Sequence, residues 1–171
     1  MNRVQELRGL FLEWAEPKGL LNKDSVQAQT LKLTEEAGEL FKAFYAPREQ
    51  ESGVDYRLAE IDALGDMGVV ITILLKQLGM AYESIPTNTT LVYIPNPTAY
   101  MVIGLGGLSE AILKNKPDRI AANVSVILQA MKYYTVACNT TEEECLEHAW
   151  SEIQDRTGEL INGSFVAEKD L

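Results

Sequence analysis

The sequence is short of several things that would each point to a function class. It has two cysteines, Cys138 and Cys145, and one histidine, His148. Two cysteines cannot build a disulfide framework, and with a lone histidine they lack the spacing of a zinc site. Both are expected to be packing residues in a reducing compartment. Lys and Arg number 15 against 25 Asp and Glu, a net charge of -10. That balance argues against a nucleic-acid binder and equally disfavours an anionic membrane surface. Long apolar runs are missing too: the longest, residues 67–75, is too short to cross a bilayer. The N-terminal segment is amphipathic, carries charges throughout and has no signal-peptide apolar region, so a cytoplasmic location is expected. An acidic chain can still take a phosphorylated substrate when divalent cations screen its carboxylates.

What is present reads as helix. The chain has 171 residues, 46% hydrophobic and 23% charged, enough for one domain with a substantial core. Apolar positions recur mostly at helical spacing. The pattern predicts helices over residues 3–16, from Asp24 or Ser25 to 45, over 56–78, 98–114 and 118–137, and from Thr140 or Thr141 to 156. Residues 48–55 read as a polar loop and 84–97, with three prolines, as a linker. Glu143 or Glu144 completes a capping box for the last helix, and Asn162-Gly163 signals a small hairpin. The expectation is an all-α helical bundle, a single domain over 1–171 with halves 1–80 and 98–157 and a tail 158–171.

A faint internal echo runs through it. Gly38 to Ala43 resembles Gly106 to Ala111, and residues 61–79 share an apolar pattern with 120–138. Read as a degenerate duplication, the second copy has lost the acids of the first. Ile103, Gly104 and Gly107 stand where Glu35, Glu36 and Glu39 would be, and Ala121 and Ser125 where Asp62 and Asp66 would be. The alternative is two helical hairpins alike by chance.

Two groups of acids carry the chemistry. In the second helix Leu33, Ala37, Leu40 and Phe44 form an apolar stripe, and Glu35, Glu36 and Glu39 share an arc of about 100°, with Glu36 bordering that stripe. Alone this reads equally as a solvated face, partly compensated by Lys32 and Lys42. The third helix is apolar almost all round, yet Asp66 lies within it one turn from Asp62. A buried carboxylate needs a cation, a metal or a set of donors, and Arg57 and Lys76 lie only at the helix ends. The bland alternative is a structural Asp capping another segment or sitting at a helix-pair edge. Gly65 and Gly68 would let a neighbouring helix or a ligand approach. Four or five carboxylates without histidine or thiol suit Mg²⁺ or Mn²⁺, and disfavour zinc and iron. Such a site supports metal-assisted attack of water on a phosphoryl group.

Residues 33–40, Leu-Thr-Glu-Glu-Ala-Gly-Glu-Leu, followed by Gly65-Asp66 in a buried helix, resemble the MazG-like, all-α NTP pyrophosphatase superfamily. The stretch from Cys145 to Trp150, then Glu152 to Arg156, then Asn162 to Val166, is similar to its phage-type members. The resemblance covers residues 14–79 and 145 to the end, and leaves 82–141 unmatched. It implies a magnesium-dependent enzyme, with manganese as a substitute, that cleaves a nucleoside triphosphate to monophosphate and pyrophosphate. Residues 1–80 would then be the catalytic half. Glu36, Glu39 and Asp66 correspond to metal ligands, and Glu35 to a ligand or, like Glu39, the base for the attacking water. The family's Glu-x-x-Asp would place a Glu at Ala63; Asp62 is the expected substitute. Lys32 and Arg156 could hold phosphate oxygens, though Arg156 also reads as a cation at a helix C-terminus. Trp14 could stack on a base or belong to the core, and Glu142 to Glu144 read as helix N-terminal charge. The resemblance further implies a homodimer or homotetramer. Rival readings are a narrow dUTP or dCTP pyrophosphatase, and a non-catalytic module that binds metal or nucleotide.

Overall fold

The computed structural model describes residues 2–46, 55–86, 96–168 and 171. Six α-helices and one two-stranded sheet form among them: α1 (Arg3–Ala15), α2 (Val26–Tyr45), α3 (Tyr56–Gln77), α4 (Pro97–Leu113), α5 (Pro117–Ala137), α6 (Glu142–Ile153), β1 (Gly158–Ile161) and β2 (Ser164–Ala167). The all-α expectation holds at this level. No helix of the described residues is long and apolar enough to cross a membrane.

Local signals account for most boundaries. Asn2 caps α1 in a capping box with Gln5. Asn22 starts a short 3₁₀ turn, Lys23–Ser25, which leads into α2. The polar stretch before α3 lies largely outside the described residues, but Asp55 accepts from the Leu58 N–H and so caps the helix. Gly79, at φ 70°, closes α3 as a left-handed cap. Proline occupies the first turn of both α4 and α5, where its missing N–H costs nothing. Thr141 and Glu144 form the expected capping box of α6. That helix ends at Ile153, three residues short of the predicted end, and Arg156 follows in the turn. Asn162 and Gly163, both at positive φ, make the tight turn between β1 and β2.

The compact units divide the chain differently from the halves read in the sequence. Met1–Met80 and Thr141–Leu171 form one unit, and Ala81–Thr140 the other. The last helix therefore belongs with the acid-rich helices. In the first unit α3 is the central element and packs against α1, α2 and α6. Leu7, Phe11, Val69, Ile73, Leu146 and Ile153 are the heart of the α1, α3 and α6 core. Burying each such side chain contributes about 1.5–3 kcal/mol. The expected glycine contacts are resolved in favour of a neighbouring helix. A Cβ on Gly65 would collide with the Cys145 carbonyl, and one on Gly68 with the Leu146 side chain. Two ion pairs, Arg3 with Glu147 and Arg8 with Glu142, also tie α6 to α1.

In the second unit α4 and α5 form a helical hairpin. Met101, Leu108, Val124, Ile127 and Tyr134 are buried, and the Tyr134 hydroxyl lies 2.7 Å from Thr98 Oγ1. Cys138 in this unit and Cys145 in the first are both buried, as packing residues should be.

Candidate carboxylate site

Helices α2 and α3 pack as a pair, and this pairing brings the two acid groups of the sequence together. On α2, Leu33, Ala37 and Leu40 are buried as the stripe requires. Glu36 is buried with them, only 1% exposed, whereas Glu35 and Glu39 lie on the exposed rim. The three acids are therefore not one solvated face. Lys32, one turn earlier, places its Nζ 2.7 Å from Glu36 Oε1 and 3.0 Å from Glu35 Oε2. Among the described residues Glu36 Oε2 has no hydrogen-bond partner. An orphaned, fully buried carboxylate oxygen is costly, on the order of 1–3 kcal/mol or more for a charged group.

Asp66 faces this acid from α3. Burial pushes its carboxyl up to about 7, and the neighbouring Glu36 and Asp62 push in the same direction, against Arg156 and Lys32. Glu36 is also held above the ordinary glutamate range, first by burial and then by Glu39 and Glu35, although Lys32 opposes this. Lys32 itself is destabilised by burial, but its contacts with Glu36 and Glu35 outweigh that and raise it. One ammonium is thus firmly charged and still leaves the acids around it undercompensated. Among the described residues, Arg156 and Lys32 only partly oppose the upward shift of Asp66.

The other predicted residues fall into place around this pair. Asp62 is half-exposed, one turn from Asp66, and Arg156 reaches the site from the turn after α6. Arg156 stands just past the C-cap of α6, 3.5 Å from Glu152, and its charge also acts on Asp66, so both readings of it stay open. Ala63, where the family's Glu would stand, is buried at 2% exposure. Trp14 belongs to the core: it meets the Phe165 ring edge-on at 5.3 Å, and Lys18 covers it at 4.6 Å.

One residue that sequence reasoning did not assign is near at hand. His148 on α6 puts Nε2 3.3 Å from Asp62 Oδ1. Nothing in the local sequence signals this, since the two are 86 positions apart. Glu60, half a turn before Asp62, is 1% exposed. Its burial follows from the same apolar pattern that surrounds Ile61 and Leu64.

Among the described residues, no three His, Cys, Asp or Glu side chains are gathered closely enough to hold a metal ion. The donors nevertheless fit a hard divalent cation in kind. They are carboxylate oxygens, one of them buried and unpaired, at a place of excess negative charge. Glu35 pairs with Lys32, and Asp62 lies 3.3 Å from the His148 ring nitrogen. Comparison with protein families, curated proteins and solved structures found no match to this chain.

Proposed function

We propose that this protein is a magnesium-dependent hydrolase of the MazG-like type that cleaves a nucleoside triphosphate to monophosphate and pyrophosphate. The observation that carries the reading is Glu36: fully buried, with an unpaired oxygen, beside an Asp66 whose carboxyl is pushed up to about 7. The sequence resemblance over residues 33–40 and 65–66 supports it independently. Glu36, Asp66 and Asp62 would hold the ion, with Glu39 and Glu35 at the rim. Bound Mg²⁺ or Mn²⁺ supplies charge for the triphosphate and acidifies water for attack on the phosphorus.

The chain's own groups do the rest. Glu35 or Glu39, exposed at the rim, accepts the proton of the attacking water. Arg156 holds phosphate oxygens with its bidentate fork, and Lys32 adds a point charge once it releases Glu36. Asp66 must be ionised to act as a ligand, so the ion competes with its proton and metal affinity rises with pH. The same reading carries a homodimer or homotetramer in the cytoplasm. One observation favours a second reading, a non-catalytic binding module: Lys32 already sits on Glu36 as a built-in counter-ion, and Ala63 supplies no acid.

The test is incubation of the purified chain with each NTP and dNTP, with and without Mg²⁺ or Mn²⁺, and separation of the products. Monophosphate and pyrophosphate, only with metal, is the expected result. Turnover confined to dUTP or dCTP would narrow the reading to a dedicated pyrophosphatase. Diphosphate with orthophosphate would overturn α–β cleavage, and metal binding without turnover would move the assignment to the binding module.

A further inference from the structure

We propose that His148 is a positioning residue that holds Asp62 beside Asp66, so that the helix α6 completes the carboxylate site. The inference rests on the metal-site reading above and deepens it. Asp62 is half-exposed and lies one turn from Asp66, which faces the buried Glu36. Left alone, it would swing into solvent, because Glu36 and Asp66 repel it and water solvates it. His148 prevents this by placing Nε2 3.3 Å from Asp62 Oδ1. The ring is itself three-quarters buried, with a side-chain exposure of 24%, so it has little freedom to move.

The backbone sets that reach. The Cys145 carbonyl and the Ala149 methyl lie directly on Gly65, and Leu146 lies on Gly68. The turn of α6 at residues 145–149 thus lies along Gly65 and Gly68 of α3. One turn back from Gly65 on α3 is Asp62, and the neighbouring position on α6 is His148. The adjacent Glu147 pairs with Arg3 of α1. A ring nitrogen 3.3 Å from one carboxylate oxygen leaves the other oxygen of Asp62 available to a cation. Outer partners of this kind orient ligands, and their loss costs about 10–100-fold in metal affinity. The arrangement also explains how an acid at position 62 can stand in where Ala63 has none. The substitute lies on the side of α3 that α6 can support.

The test is Mn²⁺ affinity of the full chain without nucleotide, followed by calorimetry or water-proton relaxation. In His148→Ala it should fall about 10–100-fold, with an unchanged circular dichroism spectrum. His148→Gln, whose amide nitrogen reaches nearly the same point as Nε2, should restore most of it. Combining His148→Ala with Asp62→Asn should lose no more than Asp62→Asn alone, because both remove one interaction. Wild-type affinity in His148→Ala overturns the inference. So does a loss that His148→Gln leaves uncorrected, or additive losses in the double variant, since packing would then be responsible. If the wild-type chain itself binds no Mn²⁺, it is the metal-site reading that fails.

Discussion

The two helical hairpins, α2 with α3 and α4 with α5, follow one apolar pattern and reach opposite chemical outcomes. Gly38 and Gly106, equivalent in the echo, both face open space. Glu35 and Ile103, also equivalent, are both exposed. The difference appears at the next position. Glu36 is buried at the α2 and α3 pairing, whereas a Cβ on Gly104 would already press on Ile127 and Val126. At the following acid position, Gly107 leaves space only for the Asn123 side chain. Helices that close to glycine distance have no room for a carboxylate and its counter-charge. On the second helix of each pair, Asp66 is left with an excess of negative neighbours, while the Ser125 hydroxyl donates to the Pro86 carbonyl within its own unit. One hairpin thus gathers acids with incomplete compensation, and the other forms a close-packed seam.

The widest contrast should be in turnover. Glu36→Gln or Asp66→Asn is expected to reduce nucleotide hydrolysis by more than about a hundredfold, and Ser125→Ala by less than about twofold, as read by product chromatography. Equal effects in both hairpins would remove the distinction between them.

Stability against pH sharpens the same contrast. Asp66 ionises near its ordinary value of 3.8 in the unfolded chain and at about 7 in the folded one. Between these values the folded protein retains a proton that the unfolded chain has released. Stability without divalent metal therefore falls as pH rises from about 4 to 7 and stays low above it. Asp66→Asn should flatten this dependence and stabilise the protein at pH 8 by roughly 2–4 kcal/mol, measured by urea unfolding. Millimolar Mg²⁺ should stabilise the wild type and leave Asp66→Asn nearly unchanged. A wild-type profile with no slope in that window would refute the crowding of Glu36, Asp62 and Asp66.

Packing effects come next. Gly65→Val sets two carbons and more against the Cys145 carbonyl, and backbone gives way less than a side chain does. A loss of about 2–3 kcal/mol is expected, against no more than about 1 kcal/mol for Gly107→Ala, where Asn123 can rotate. The smallest effect should be common to both hairpins. Gly38→Ala and Gly106→Ala, each in a helix with open space at the Cβ, should each stabilise by about 0.5–1 kcal/mol. A destabilising Gly106→Ala would show that the open face of α4 is covered in solution.

Much of this was legible along the chain. Capping by Asp55 and Thr141, the stop at Gly79 and the turn at Asn162-Gly163 are local events, decided by residues within four positions of one another. The burial of α3 and of the Leu33, Ala37, Leu40 stripe is likewise written in periodicity. The acids could be named as a group because helical spacing puts Asp62 and Asp66 on one side and Glu36 at the edge of a stripe. The end of α6, the division into units and the placing of α6 beside the acids could not be read this way. Those depend on contacts far apart in sequence, such as Cys145 on Gly65.

The sequence by itself determined the helices, their caps, the excess of acid and which carboxylates could meet, because propensity and periodicity act over a few residues. Tertiary structure alone decided that Glu36 loses its water and Glu35 keeps it, that Lys32 is too little compensation, and that the only histidine stands on Asp62. The physical reason is that desolvation and charge crowding depend on what lies across a helix interface, and no single segment of the chain contains both sides of one.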